Sequence, residues 1–403
     1  MVALEQEMLL NPPTHCGTTI SPSWWRRDAM LSPMRIALLT CTLGLGLCLF
    51  TFSCSSVTYQ EEVAQVAKEA SQEQLTRHLV ALTDMGPRRA GDPHAGLKTV
   101  KYLEQELLAL GVETVRETFM LTPSTKLTIT AEGVEREIPG VFFAKNITQA
   151  RVLQGFHGSA SVRSGESDPV EQINLLATIP GTVNPQRILE ISAHHDTVPG
   201  TVGADDNTSG VVVLLEVARL LKKYPPEYTV RLCFFAAEEI GLRGSFEHVR
   251  LMQESGEVDQ VFGLINLDTV GFFTDEEDSQ RSPARIPFLV WPPYTGNFLG
   301  IIGGHGSAQL AHLVEDAGSV YVEDLPTYTL ARLGGFLPDA RRSDHAPYWD
   351  VEIPAVFLTD TAEFRTDTYH RASDNLDSLD LLSLRKVASL VFSAAVSASD
   401  LAD

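Results

Sequence analysis

The chain has 403 residues, 44% of them apolar and 21% charged, with 31 Lys and Arg against 52 Asp and Glu. A formal net charge of −21 argues against a nucleic-acid partner, whose phosphates such a surface repels. Length and apolar content exclude disorder as the main state and supply a full core for one large domain or two ordinary ones.

Residues 1–60 balance Glu5, Glu7 and Asp28 against Arg26, Arg27 and Arg35, so the whole net charge lies downstream. Ile36 to Ser53 is uncharged and follows Arg35, the pattern of an export signal. This stretch is short for a bilayer span, which needs about 20 apolar residues. It ends in Thr51-Phe52-Ser53-Cys54-Ser55-Ser56, which resembles a bacterial lipoprotein cleavage site, although leucine rather than Thr51 is usual three residues before the cysteine. Lipid anchoring at Cys54, a signal anchor and an ordinary cleaved signal all fit, with Met30 or Met34 as alternative starts. Each places the main domain outside the cytoplasm, in the cell envelope. Of the five cysteines only Cys233 lies beyond this region, so no disulfide is expected within the main domain. The division expected is 1–58 for the export or anchor region, 59–72 for a polar Glu/Gln-rich tether, and 73–403 for the main domain.

Downstream, apolar residues recur at helical spacing through Leu75, Leu79 and Leu82 and again through Leu97, Tyr102, Leu103, Leu107 and Leu108. Leu175–Ile179, Ile188–Ala193, Val230–Ala236, Leu264–Leu267 and Ala355–Leu358 are runs of four to seven residues, the length of buried strands. Gly210–Leu221 and Gly244–Met252 read as crossover helices, and Leu379–Ser399 as a final one. Repeated strand and helix imply an α/β domain, three layers with a mostly parallel central sheet, in which ligands collect at the carboxyl ends of the strands. Thr274–Gly296 is the one long irregular insertion, expected as a solvated surface loop.

The chemistry falls where these strands stop. Ile188–Ala193 ends in His194-His195-Asp196, and a Gly-rich turn leads to Asp205-Asp206-Asn207. Val230–Ala237 ends in Glu238-Glu239, Leu264–Leu267 ends in Asp268, and Tyr369-His370 follows the last strand. Two histidines and several carboxylates delivered to one sheet edge suit zinc or manganese. Asp206, Glu239 and Asp268 carry three negative charges, which two divalent ions and a bridging hydroxide balance and one ion does not. Two metals per chain are therefore expected. Two carboxylates left unpaired after the apolar run Leu232–Ala237 would cost several kcal/mol, which argues against a merely solvated pair.

His194-His195-Asp196, Gly203-Ala204-Asp205-Asp206-Asn207-Thr208-Ser209-Gly210, Ala236–Ser245, Asn266-Leu267-Asp268 and Tyr369-His370 together resemble the M28 family of zinc metallopeptidases, from about Leu75 to the C-terminus. The resemblance implies the zinc-exopeptidase fold, with His194 and Asp268 on one zinc, Glu239 and His370 on the other, and Asp206 bridging. It makes Glu238 the general base, gives Asp196 the task of fixing the ring of His194, and implies a cis peptide between Asp206 and Asn207. The protease-associated insertion domain of some members is absent.

The leading function is thus a dinuclear zinc aminopeptidase acting on peptides with a free N-terminus. Alternatives are a single-zinc glutaminyl cyclase, a carboxypeptidase-type M28 hydrolase and a metal-stabilised ectodomain without catalysis; the five retained ligands and Glu238 favour hydrolysis. Ser343-Asp344-His345 also occurs in the family, with His345 either supporting the site or buried as a structural residue. Trp291, Tyr294, Phe336, Tyr348 and Trp349 are pocket or core aromatics, Arg332, Arg341 and Arg342 are candidate carboxylate contacts, and Asn146-Ile147-Thr148 fits a glycosylation sequon.

Overall fold

Apolar runs too short for helices form the strands of one eight-stranded sheet, and the amphipathic segments between them cover it. The computed structural model describes residues 57–121, 124–131, 134–142, 159–163, 169–282, 285–287 and 289–401. The export segment, Cys54 and the sequon at Asn146 lie outside these residues. Among the described residues no helix is long and apolar enough to cross a membrane.

In chain order the strands are β1 (Glu113–Leu121), β2 (Ser124–Ala131), β3 (Val134–Phe142), β4 (Ser159–Arg163), β5 (Val170–Ile179), β6 (Asn184–His194), β7 (Tyr228–Phe235), β8 (Val261–Leu267), β9 (Leu299–Gly303), β10 (Thr327–Leu330) and β11 (Ala355–Thr359). The main helices are α1 (Glu61–Lys68), α2 (Gln72–Thr83), α3 (Pro93–Ala109), α4 (Gly210–Lys223), α5 (Arg243–Ser255), α6 (Ala308–Tyr321), α7 (Ala346–Asp350) and α8 (Leu381–Ser397). The large sheet has the order β1-β5-β7-β6-β8-β11-β9-β10. Its centre, β7-β6-β8-β11, is parallel, whereas β1/β5, β5/β7 and β9/β11 pair antiparallel. The expected parallel sheet is thus a parallel centre with antiparallel flanks. That centre is where three consecutive strand ends, those of β6, β7 and β8, stand side by side.

Alternate side chains serve the two faces. Leu189, Ile191 and Ala193 of β6 join the larger core under α4 and α8, while Ile188 belongs to a second core with Cys233, Phe235, Val249 and Tyr348 under α5 and α7. Glu190, Ser192 and His194 share the face of Ile188, so a strand with a dry side also carries a polar file toward its carboxyl end.

Two expectations are corrected. Residues 61–68 of the supposed tether are helical, with Val63, Ala64 and Ala67 buried in the main core, two acids in the first turn and Lys68 in the last. Ser71 then caps α2 by accepting from the Gln74 N–H, and its own N–H donates to the buried Glu216. Residues 59–72 therefore belong to the same compact unit as the residues that follow them. Between β1 and β5 the chain also builds a separate antiparallel sheet of order β3-β2-β4, which the sequence reading lacked.

Candidate metal centre

Each predicted ligand leaves a strand end or a turn that aims it inward. His194 closes β6, and Asp268 follows β8, its N–H held by the Leu358 carbonyl of β11 at 3.1 Å. After β7 the chain turns through Ala237, whose φ of 61° lies in the left-handed region, so that the N–H groups of Glu238 and Glu239 point at the two carboxylate oxygens of Asp196 (3.1 and 3.3 Å). Left-handed alanine is uncommon, and this one serves to face two adjacent acids toward the same space.

Asp206 sits in a turn between β6 and α4. Gly203 opens this turn at φ 59°, and a Cβ there would lie 2.2 Å from the Asp206 carbonyl oxygen, so only glycine fits. Asp374 accepts the N–H groups of Asp205 (2.7 Å) and Asp206 (3.1 Å). Asn207 donates to the Leu267 carbonyl at 2.8 Å, tying the turn to the end of β8. The peptide between Asp206 and Asn207 is cis, as the resemblance implies.

The structure brings all five ligand candidates and Glu238 together. Nε2 of His194 lies 3.2 Å from Oδ1 of Asp206, 3.5 Å from Asp268 and 3.9 Å from Glu238. Nε2 of His370 lies 3.0 Å from the other oxygen of Asp206 and 3.2 Å from Glu239. His194, Asp206 and Asp268 form one group within ligand reach, and Asp206, Glu239 and His370 a second, with Asp206 common to both. Nδ1 of His194 meets the backbone carbonyl of Asp196 at 3.1 Å, while the carboxylate follows at 3.6 Å. Asp196 therefore reaches the ring chiefly through its main chain, and its carboxylate serves the Glu238-Glu239 turn.

Electrostatics fit a cation in both groups. Burial pushes Glu238 well above the ordinary carboxyl range and Glu239 up to about 7, with neighbouring acids adding to the shift. Burial opposes the charged form of His194, yet the surrounding carboxylates hold it well above its ordinary value, and in the same way raise His370 to about 10. Positive charge is thus strongly favoured between these acids. Nε2 of His194 is buried without a hydrogen-bond partner, the condition of a donor set built for a metal rather than for itself.

Around this centre lie residues whose roles the sequence alone left open. The Tyr369 ring stacks on His370 at 3.8 Å, and its hydroxyl accepts from Arg342, which also pairs with Glu363. Asn266 accepts from Ser192 at 2.7 Å and donates to Ser343 at 2.8 Å, bracing the end of β8. His345 is structural: its ring stacks on Phe357, it donates to the Ala340 carbonyl at 2.7 Å, and burial pushes its pKa down to about 3. Tyr348 belongs to the second core, while Trp291, Tyr294 and Phe336 are exposed. Arg341 pairs with Asp350.

Beside Asp268 opens a cavity of about 130 Å³, lined mainly by apolar side chains including Phe298, Ile302, Leu330 and Phe357. The insertion read as a solvated loop supplies one wall through Gln280, Val290 and Pro292, anchored by Arg365, which donates to Gln280 Oε1 and to the carbonyls of Phe272 and Phe298.

Comparison with known proteins agrees with this geometry. The model of peptidase family M28 matches residues 174–395. The uncharacterized protein YfbL of Escherichia coli is 32% identical over 50% of this chain and 64% of its own length, and the aminopeptidase YwaD of Bacillus subtilis is 26% identical over 53% of this chain and 42% of its own. The match thus spans between about two-fifths and somewhat under two-thirds of the length of these relatives. Among solved structures, the aminopeptidase of Aneurinibacillus sp. strain AM-1 superposes with a TM-score of 0.58 at 21% identity, covering 82% of this chain and 95% of that one. A glutaminyl cyclase of Fimbriiglobus ruber reaches 0.53 at 17%, covering 82% and 96%. These are likenesses of fold. The family match, covering more than half of the chain and every strand end that carries a ligand candidate, shows that the chain belongs to peptidase family M28.

Proposed function

We propose that this chain is a dinuclear zinc aminopeptidase that removes N-terminal residues from peptides. The observation that carries the reading is Asp206, whose two carboxylate oxygens face two different imidazoles, one paired with Asp268 and the other with Glu239. An acid that turns one oxygen to each of two complete donor groups suits two ions sharing it better than one ion alone. His194, Asp268 and one oxygen of Asp206 would hold one ion, and His370, Glu239 and the other oxygen the second. When bound, the two ions supply a water acidic enough to attack at neutral pH and positive charge for the oxyanion that forms.

The protein's own groups do the rest. Glu238 belongs to neither pair yet lies 3.9 Å from His194, and its N–H is fixed by Asp196. Its burial raises its proton affinity, which suits a base that takes the proton of the attacking water and returns it to the departing amine. Tyr369 holds the ring of the partly exposed His370, and Arg342 holds Tyr369. The cavity beside Asp268 compares with an engineered cavity of about 150 Å³ that accepts benzene. A branched aliphatic or aromatic side chain is the occupant it suits.

The test is metal content per chain measured beside hydrolysis of leucyl, phenylalanyl, alanyl, lysyl and glutamyl anilides, their N-acetyl forms, and cyclisation of a glutaminyl peptide. Two zinc ions and hydrolysis confined to free amines with apolar first residues are expected. One zinc with cyclisation of glutamine would replace this reading by a cyclase, and cleavage at free C-termini by a carboxypeptidase. The enzyme is further proposed to be held at the cell envelope by its N-terminal segment; recovery of the full chain in the soluble cytoplasmic fraction would refute that placement.

A further inference from the structure

The loop that carries Asp196 and Asp206 has little regular structure of its own between the end of β6 and the turn before α4. It is organised from outside by a residue more than a hundred positions earlier. After α2 the chain turns through Gly86, at φ 82°, and Pro87, and so delivers Arg88 into the interior, where the residue is only 2% exposed. Its Nε donates to the His195 carbonyl at 3.0 Å, Nη1 to the carbonyls of Val202 (2.8 Å) and Leu82 (3.3 Å), and Nη2 to Oγ1 of Thr208 at 2.7 Å. The Arg88 N–H donates to Thr197 Oγ1 at 3.0 Å. Three of these contacts, at 195, 202 and 208, seize the loop before, within and after the segment that holds the two acids.

The choice of partners matters as much as their number. A guanidinium has five N–H donors, and here four bonds go to neutral oxygens. No ion pair between Arg88 and a carboxylate is found among the described residues. A direct pair with Asp206 would consume an oxygen that faces an imidazole. Seated on carbonyls instead, the cation stands behind the loop and leaves those oxygens free. Burial lowers its pKa to about 10, and Asp196, Asp374 and Asp206 oppose that fall, so it stays charged at neutral pH and is felt by the acids it does not touch. A loop that only needed fixing could be packed with apolar side chains, because burying an arginine's charge is costly.

We propose that Arg88 is a positioning residue of the metal centre, which holds loop 195–208 so that Asp206 presents one oxygen to each metal and supplies a fixed positive charge that keeps the loop's acids together without competing for them. The proposal rests on the reading of Asp206 as the shared ligand.

The experiment uses the full chain and four variants, one of them a control. Arg88→Met keeps length and loses charge and donors, Arg88→Lys keeps charge but cannot reach four acceptors, and Thr208→Val removes one acceptor together with that hydroxyl's own bond to the Gly203 carbonyl. Arg231→Met serves as the control, because Arg231 is also buried but pairs with Glu190 and Glu257 away from the metal groups. Zinc affinity is read by chelator competition, the cobalt-substituted protein by its visible spectrum, and the metal-free fold by melting.

Arg88→Met is expected to bind zinc about 10- to 100-fold more weakly, with an altered cobalt spectrum, as loss of a group that orients ligands does. Arg88→Lys should fall between it and the parent, and Thr208→Val should lose less than either. Arg231→Met should melt earlier with zinc affinity and spectrum unchanged. If Arg88→Met does not fold, Arg88→Lys and Thr208→Val carry the same test. Parent-like zinc affinity and cobalt spectrum in the folded Arg88 variants, whatever their melting temperature, would overturn the proposal. Zinc loss in Arg231→Met as large as in Arg88→Met would also overturn it, by making the effect a general cost of losing a buried arginine. A parent protein that binds one zinc would instead overturn the shared-ligand reading itself.

Discussion

Two clusters of histidine and carboxylate lie on the same face of the central sheet, one at the end of β6 around His194 and one lower on the same strand around Glu190. Glu190, Cys233 and His248 come as close together as the groups around Asp206, so proximity alone would make both metal sites. Their hydrogen bonds separate them. Oε1 of Glu190 meets His248 Nε2 and Arg231 Nη1 at 3.1 Å, and Oε2 accepts from Tyr348 at 2.5 Å. The other ring nitrogen of His248 meets Glu117 at 2.9 Å, and Arg231 spends further donors on Glu257. This cluster is closed, with an arginine providing the cation. Among the described residues the upper cluster has no arginine paired to its acids, and it leaves Nε2 of His194 without a hydrogen bond. Unspent donors, more than donor identity, distinguish a metal centre from a buried ion-pair network.

The contrast is broken most forcefully by exchanging carboxylates for amides. In the open cluster, Glu238→Gln should lower turnover on the order of 10²- to 10⁴-fold with both metals still bound, because the amide keeps its shape and cannot accept the proton. Glu239→Gln should release metal instead. Steady-state rates measured beside metal analysis of the same preparations separate the two, and equal metal loss in both would show the roles to be misassigned. Neither change should lower the melting temperature of the metal-free protein much, since it relieves crowding among acids.

In the closed cluster the outcome reverses. Glu190→Gln leaves His248 and Arg231 facing an amide in a fully buried site, and breaking such a pair costs about 3–5 kcal/mol. Chemical denaturation should show that loss, and the surviving folded protein should carry its full complement of zinc. Zinc depletion in step with unfolding would merge the two clusters into one functional unit.

The open cluster was legible in the sequence because His194, Glu239 and Asp268 stand at the ends of apolar runs and Asp206 follows a Gly-rich turn, so the strand ends could be located and their residues read off; His370, twelve residues beyond Leu358, rests on the resemblance instead. What holds those ligands was not. Asp374 caps the N–H groups of Asp205 and Asp206 from about 168 positions away, and Arg88 reaches the same loop from the other side; no local pattern reports a contact of that range. The Gly86-Pro87 turn before Arg88 was the one available signal. Helix α1 was missed because its buried face consists of Val63, Ala64 and Ala67, small residues amid Glu and Gln. Strand β1 was missed because it forms the sheet edge and mixes charged, polar and apolar side chains without a clean period of two, with only two positions buried.

A smaller effect tests the closed cluster through pH. His248 is held well above its ordinary value of 6.5, with burial opposing and Glu190 leading the groups that raise it. Glu190 is held below 4.5, again against burial, by His248 and Arg231. A histidine raised on folding contributes fully below its unfolded value and loses that contribution as pH climbs toward its folded one. A lowered carboxylate contributes fully above 4.5 and loses it as pH falls. The cluster therefore stabilises most between about pH 4.5 and 6.5 and progressively less above. The stability gap between the parent and His248→Gln, both zinc-loaded, should narrow as pH rises from 6.5 to 9; a gap that widens would reverse the assignment of charge.

The last test concerns what the open cluster faces. Ile301 and Ile302 alternate on β9, a strand paired on both sides, so Ile301 enters the core while Ile302 lines the cavity beside Asp268. The paired backbone gives the side chain at 302 little room to withdraw. Ile302→Phe therefore adds volume to a space of about 130 Å³, and the occupant excluded first is the largest. One methylene of misfit in such a pocket is worth about 1–3 kcal/mol in kcat/KM. Leucyl and phenylalanyl substrates should lose about 10-fold or somewhat more, alanyl substrates about 3-fold at most, and zinc content should not change. The ratio of the two losses is the informative quantity, because a general disturbance of the metal groups would depress all substrates alike. A uniform loss would place the side-chain pocket elsewhere, and unchanged rates for every substrate would remove this cavity from the substrate's path.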